Sequence, residues 1–258
     1  MQTATPVYES EIQVRLFECD FSGRWKPAAF FQNLTEIAGG HAAQLGFGFE
    51  QMTPRSLAWV HSRIKIQFLR FPASEERLTV RTWPKTIQQK LFYVRDFEVL
   101  DVAGEPVALA TSAWLVINTA TRHLVPPAAL DIKLPEAGRS ALDERLDKLV
   151  LDRPGEERHR LRAGYSAVDV LGHVNNSRYV EWICDAFPME QYRQRQIAWM
   201  QINYDHEVLP GEEISIRSCP ADGSESLWMV EGFNLARDTR SFAAAVAWQP
   251  IPSGESAD

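Results

Sequence analysis

From Tyr165 to Trp182 the chain reads Y-S-A-V-D-V-L-G-H-V-N-N-S-R-Y-V-E-W. Asp169, Gly172, His173, Asn175 and Asn176 crowd together here, and Tyr179 and Trp182 follow. If a strand gives way to a helix at Asp169, the backbone N–H groups from Gly172 to Asn175 are helix-terminal donors. Such donors can hold an oxyanion or a polarised carbonyl oxygen, and a glycine lets that oxygen come close. A carboxylate beside them can activate water or attack directly. Together they are the minimum set for hydrolysing an activated acyl group. An Asp before a helix is more often only a cap, a lone histidine is more often structural, and lone asparagines belong to turns. The cluster, not any single member, favours chemistry.

The other candidates are weaker. Glu207, in N-Y-D-H-E-V, reads on spacing alone as a carboxylate near a sheet end. Cys184 reads as a small buried apolar group, with no histidine at helical spacing from it. Phe30, Phe31, Tyr179 and Trp182 read as core. No G-x-S-x-G elbow, P-loop or G-x-G-x-x-G is present. The six histidines show no metal-ligand spacing, so neither cofactor nor metal is expected.

The elements that would position these groups come twice. Residues 11–19 alternate like a half-buried strand. Pro27 then suits a first helical position, and residues 27–45 carry an apolar stripe of a long helix, ended by Gly46 and Gly48. Strands follow over 57–70, 76–84, 90–100 and 106–118, with a hairpin turn at 101–106. Joined by short turns, they predict an antiparallel sheet and an α+β fold. Residues 120–157 are proline-interrupted and read as a linker, with a short charged helix at L-D-E-R-L-D-K-L.

The second half then repeats the first. At an offset of 149, Asp20 matches Asp169, Gly23 matches Gly172, Arg24 matches His173 and Phe30 matches Tyr179. Further on, A-W at 58–59 matches 198–199 and F-P at 71–72 matches L-P at 209–210. E-E-R-L-T-V-R-T-W-P at 75–84 matches E-E-I-S-I-R-S-C-P at 212–220 with one deletion. Residues 225–236 and 239–248 read as closing strands. The expected division is a first repeat at 1–119, the linker, and a second repeat at 158–258 that carries the reactive groups, the two packed as a pseudo-dimer. Asp20, with Arg24 and Trp25 for neighbours, reads as a cap alone.

Composition bounds the rest. An apolar share of 45% supports a core, and a net charge of −7 disfavours nucleic acid. Cys19, Cys184 and Cys219 lack close spacing, so reduced thiols are expected. The N-terminus has no signal-peptide pattern and no stretch has the length of a membrane span, so a soluble cytoplasmic protein is the expectation.

The segment D-V-L-G-H-V-N-N-S-R-Y resembles the D-x-x-G-H-V-N-N-x-x-Y signature of hot-dog thioesterases. With L-A-W-V-H-S-R-I, N-T-A-T-R-H-L-V and N-Y-D-H-E, the tandem chain resembles the acyl-acyl carrier protein thioesterases from about Tyr8 to about Trp248. The resemblance implies a double hot-dog, each repeat an antiparallel sheet wrapped around a long helix. It implies release of a free fatty acid from acyl-acyl carrier protein in fatty acid biosynthesis, with no cofactor. By resemblance Asp169, His173 and Glu207 are catalytic, while Gly172, Val174, Asn175 and Asn176 bind substrate. Two positions depart from the family pattern: Leu171 stands where an Asn is usual, and Val208 where plant members often have Cys. The first departure leaves Asn175 as a polar substitute and brings the chain nearer to thioesterases acting on acyl-CoA. Acyl-CoA hydrolysis and non-catalytic acyl binding are thus the alternatives. A dehydratase would need a different His/Asp or Glu pairing at the helix. Acyl carrier protein or acyl-CoA is the expected partner, Arg158, Arg160, Arg162 and Arg178 are candidates for a basic docking patch, and a homodimer is compatible with the fold.

Overall fold

A computed structural model of the chain describes residues 5–130, 132, 134–221 and 223–252. It divides into two compact units, residues 1–26 with 32–146, and residues 27–31 with 147–258. In the first half of the chain come β1 (Tyr8–Gln13), α1 (Pro27–Gln44), α2 (Phe49–Met52), β2 (Leu57–Phe68), β3 (Arg77–Gln88), β4 (Phe92–Leu100), β5 (Pro106–Asn118) and the short β6 (Leu124–Val125). The strands run in the order β1-β3-β4-β5-β2, every pairing antiparallel, with β6 beside β5. In the second half come β7 (Glu156–Arg162), α3 (Asn176–Asp185), α4 (Met189–Gln194), β8 (Arg195–Tyr204), β9 (Glu213–Pro220), β10 (Leu227–Asn234) and β11 (Thr239–Pro250). Their order is β7-β9-β10-β11-β8, again antiparallel throughout. Strand for strand, the two halves have one topology.

Sequence explains most of these elements locally. Pro27 starts α1, where a missing N–H costs nothing. The α1 stripe Phe30, Phe31, Leu34, Ile37, Ala38 and His41 is buried as its spacing requires. The 101–106 hairpin is held by Asp101 Oδ1, which accepts the amides of Ala103 (2.9 Å) and Glu105 (3.0 Å). Two stretches differ from expectation. The alternation over residues 11–19 does not stay in the sheet: β1 ends at Gln13, and Leu16–Glu18 is a 3-10 turn that leaves Leu16 and Phe17 exposed. The second helix is not long, because α3 spans ten residues against eighteen in α1. Phe187 precedes Pro188, whose ring disfavours helical geometry at the residue before it, and the chain restarts as α4.

The hydrogen bonds also correct the register of the repeat. Ala163 N–H donates to Glu212 O, as Val14 N–H does to Glu76 O, and the Gly211 and Glu75 amides return those bonds. Val174 N–H donates to Val208 O (2.9 Å), as Trp25 N–H does to Pro72 O (2.8 Å). Before the helix the copies are 149 apart; after it they are 136 apart, thirteen fewer. Phe71 and Pro72 therefore match Glu207 and Val208, not Leu209 and Pro210. Glu76 then matches Glu212 and Pro84 matches Pro220 with no deletion.

The segment after β6 contains no helix at 142–149. Leu142 and Leu146 are buried there, but the backbone is taken up elsewhere. Trp83 Nε1–H donates to Arg139 O (3.0 Å), Lys85 Nζ to Leu142 O, and Arg63 Nη1 to Leu146 O (2.9 Å). Ala141 N–H donates to Asp96 Oδ2 (2.7 Å), which also pairs with Lys85 Nζ (3.1 Å). Helical hydrogen bonding would compete with these side chains for the same backbone groups. Asp96 is fully buried, and truncating a buried ion-pair partner leaves the other uncompensated. Asp96→Ala is expected to destabilise the protein by about 3 kcal/mol, read as a lowered midpoint in urea at an unchanged slope.

Candidate active site

Asp169 lies in a tight turn between a 3-10 turn at Tyr165–Ala167 and α3. The turn closes on itself: Asp169 N–H donates to His173 O (3.0 Å) and Gly172 N–H to Asp169 O (3.0 Å). Gly172 has φ +81°, in the left-handed region, and a Cβ there would meet nothing within 4 Å. The backbone conformation, not a crowded approach, demands glycine. Gly23 repeats it at φ +76°.

Both oxygens of Asp169 are engaged. Oδ1 accepts the Leu171 amide (2.9 Å), and Oδ2 accepts Asn175 Nδ2 (3.2 Å). The other end of the Asn175 amide caps α3, where Oδ1 accepts Ser177 N–H (3.0 Å) and Ser177 Oγ–H (2.7 Å). One asparagine thus fixes the helix start and the carboxylate together. Asp20 sits in the corresponding turn, but its Oδ1 accepts Ser22 N–H, Ser22 Oγ–H and Arg24 N–H. Those three bonds, all to one oxygen, hold its own loop, and among them is no counterpart of the Asn175 bond.

Not all the expected amides are open. Gly172, Val174 and Asn175 donate their N–H groups within the protein, Asn175 to Ala167 O (2.9 Å). Among the described residues, the amides without such an acceptor are those of His173 and of Asn176, the first residue of α3. The backbone donors are thus fewer than a bare helix start offers, because the turn consumes the rest. His173 is half-buried, and its Nδ1 lies 3.4 Å from Val174 O. Its ring does not bond Asp169; Asn175 holds that place. The Leu171 side chain is exposed, and only its backbone serves the carboxylate.

Glu207 follows β8 and is half-buried. The amides of Asp205 and His206 both donate to Ser241 O on one side of it. On the other side Val208, fully buried, accepts Val174 N–H and donates its own N–H to Tyr179 Oη (3.2 Å). Burial pushes the Tyr179 hydroxyl well above its usual range; the Val208 amide opposes this, while Glu207, Glu212 and Asp169 add to it. Through Val208 the residue after Glu207 is thus tied both to Val174, which follows the Asp169 turn, and to Tyr179 of α3.

Two models, for the acyl-ACP thioesterase N-terminal domain and C-terminal domain, match residues 5–129 and 152–250. The chain belongs to the acyl-ACP thioesterase family. An oleoyl-acyl carrier protein thioesterase of Coriandrum sativum is 25% identical over 248 residues, covering 88% of this chain and 66% of its own length. Across the first relatives of this kind the chain spans between about half and two thirds of their length. An acyl-ACP thioesterase from Bacteroides thetaiotaomicron superposes with a TM-score of 0.84 at 28% identity, over 95% of this chain and 98% of that one. A 12:0-ACP thioesterase from Umbellularia californica shares the fold, with a TM-score of 0.79 at 23% identity over 97% and 100% of the two chains.

Other features of this acyl-ACP thioesterase family chain lie away from the cluster. A recess of about 730 Å³ opens on the first unit, beside Glu11, Arg15, Arg77 and Arg81, and none of Asp169, Gly172, His173, Asn175, Asn176, Tyr179 and Glu207 lines it. Burial pushes the Cys184 thiol up to about 12, so it is no nucleophile at neutral pH. No helix among the described residues is long and apolar enough to cross a membrane, and among them no cluster of three metal-ligating side chains occurs. Of the four arginines proposed as a docking patch, Arg158 pairs with Glu156, Arg160 with Glu157 and Arg178 with Glu181; Arg162 donates to Gly211 O. Sequence spacing does not show Tyr179 as more than core. The signal that could have found it is its counterpart Phe30: a hydroxyl added at a buried position needs a partner.

Proposed function

We propose that this protein hydrolyses the thioester of acyl-acyl carrier protein and releases a free fatty acid. The observation that carries the reading is the Asp169 carboxylate, clamped by the Leu171 amide and Asn175 Nδ2 within a chain of the acyl-ACP thioesterase family. We read the fold as a double hot-dog, with repeats at 1–119 and 158–258 joined by the 120–157 segment. The shared strand order and the paired hydrogen bonds support this reading. A homodimer of this double unit belongs to the same proposal.

Each oxygen of Asp169 keeps a lone pair beyond the bond it accepts. One of these takes a proton from water, with Glu207 as second carboxylate, while the oxygen of that water attacks the thioester carbonyl carbon. Charge builds on the carbonyl oxygen, and the amides of His173 and Asn176 are the donors that remain to meet it. The tetrahedral intermediate then collapses, the C–S bond breaks and the thiolate leaves with a proton. Direct attack by Asp169 would give a mixed anhydride instead. Single-turnover hydrolysis in ¹⁸O-water tests for the anhydride: label in the Asp169 carboxylate requires water to open an anhydride at the Asp169 carbonyl.

A second reading, acyl-CoA hydrolysis, rests on Leu171, whose exposed side chain stands where an Asn is usual in the carrier-protein thioesterases. Thiol release from a panel of acyl-carrier-protein and acyl-CoA substrates tests both. A kcat/KM at least tenfold higher for carrier-protein thioesters is expected. Preference for CoA thioesters would move the reading to the second. Tight acyl binding without turnover would make the protein an acyl-binding one.

A further inference from the structure

The two copies of the repeat provide an internal comparison at the residues around Glu207. In the second, the Val208 peptide joins two elements: its carbonyl accepts the Val174 amide (2.9 Å), and its N–H donates to Tyr179 Oη (3.2 Å). Val174 follows the Asp169 turn and Tyr179 lies on α3, so the residue after Glu207 is anchored to both. In the first, Trp25 N–H still donates to Pro72 O (2.8 Å), so the carbonyl half of the arrangement is retained. The other half is lost three times over. Position 72 is proline, which has no N–H; Phe30 stands where Tyr179 has its hydroxyl; Phe71 stands where Glu207 has its carboxylate. Carboxylate, amide donor and hydroxyl acceptor occur together in the copy with the polar cluster and are absent together from the other.

Packing alone does not need that hydroxyl. Tyr179 is 2% exposed and meets Trp182, Tyr204 and Phe242 edge-on, with ring centroids 5.2, 5.6 and 5.3 Å away. A phenylalanine ring would keep all three contacts, as the phenylalanine at position 30 is itself fully buried. Among the described residues the hydroxyl receives the Val208 amide, and that amide lies one residue from the proposed second carboxylate.

We infer that Tyr179 is a positioning residue for the reaction: through its hydrogen bond to the Val208 amide it holds Glu207 at the working distance from Asp169. The inference rests on the thioesterase reading and adds a residue to it.

The test is Tyr179→Phe, measured on an acyl-carrier-protein thioester at 25 °C with the folded fraction verified by circular dichroism. The expected result is a kcat lowered about 10- to 100-fold, the scale on which a displaced catalytic group loses activity, with KM changed less than about twofold. A residue that served stability alone would leave kcat per folded molecule unchanged. Glu207→Gln supplies a second measurement: if Tyr179 acts through Glu207, adding Tyr179→Phe to that variant changes kcat by less than about twofold. A wild-type kcat in folded Tyr179→Phe, or an equal further loss in the Glu207→Gln background, overturns the inference while the thioesterase reading stands. A wild-type protein that hydrolyses no thioester sinks that reading, and the inference with it.

Discussion

Asp169→Asn is expected to lower kcat for thioester hydrolysis by about 10³-fold while the protein stays folded. The amide is nearly isosteric with the carboxylate, and its oxygen can still accept the Leu171 amide, so the turn keeps its shape. Two properties are lost. An amide cannot take a proton from water, and removal of a general base costs roughly 10² to 10⁴. Its NH₂ group would also face Asn175 Nδ2, donor against donor, where Asp169 Oδ2 now accepts (3.2 Å). The control is in the same molecule. Asp20 occupies the matching turn and accepts Ser22 N–H, Ser22 Oγ–H and Arg24 N–H. Asp20→Asn should leave kcat within about twofold and cost about 1 kcal/mol of stability. Steady-state kinetics and urea melts on both variants check the pair. Equal kinetic effects at the two positions would remove the functional distinction between the copies.

Asn175→Asp is expected to lower kcat at pH 7 by about 10²-fold and to lower stability at that pH, because a carboxyl that keeps its proton at neutral pH only in the folded state destabilises that state. The cap survives, because an Asp oxygen accepts Ser177 N–H and Oγ–H as the Asn oxygen does, and Asp and Asn are near-equal at that position. A negative charge at a helix start is itself mildly favourable. What changes is the other end of the side chain. The Nδ2 that donates to Asp169 Oδ2 becomes a second carboxylate oxygen at about the same distance. Two carboxylates so placed cannot both ionise at neutral pH, so the pair retains a proton. The base is then partly occupied, and the acid limb of the pH–rate profile should move to higher pH. A melting temperature that recovers toward wild type as the pH is lowered, beside this kinetic loss, separates the effect from a lost cap, whose cost does not depend on that proton. Full activity with an unmoved acid limb would mean that the Asn175–Asp169 bond is not used.

Much of the fold was readable because its signals are local. Alternation with turn residues marked β2 to β5, and Pro27 with the apolar stripe marked α1, because neither depends on distant partners. Where a distant partner decides, the reading failed. Residues 142–149 have helical composition, but Lys85 and Arg63 claim the carbonyls of Leu142 and Leu146, while Trp83 and Asp96 fix Arg139 and Ala141 just before them, partners that sequence spacing cannot bring there. Leu16 and Phe17 continue the alternation of β1 without continuing the strand. The candidate site divides the same way. Asp169, Gly172, His173 and Asn175 lie in one turn and were visible as a cluster. The partnership of Val208 with Tyr179 joins residues 29 apart and appears only once the register after the helix is corrected from the Leu209-Pro210 match. The amides thought open were closed by Val208 and Ala167, again partners that spacing does not show.

The strapping of residues 139–146 onto the first sheet bears on how this chain can be divided for expression or domain exchange. Composition suggests a cut near residue 119, and the match to the N-terminal family model ends at residue 129. A fragment ending at either place would strip acceptors from Trp83 Nε1, Lys85 Nζ and Arg63 Nη1 and would leave the Asp96 carboxylate without the Ala141 amide. It would also uncover the apolar surface under Leu142 and Leu146. The first unit runs through Leu146, so a chimera that swaps the first domain between relatives should carry its own strap with it.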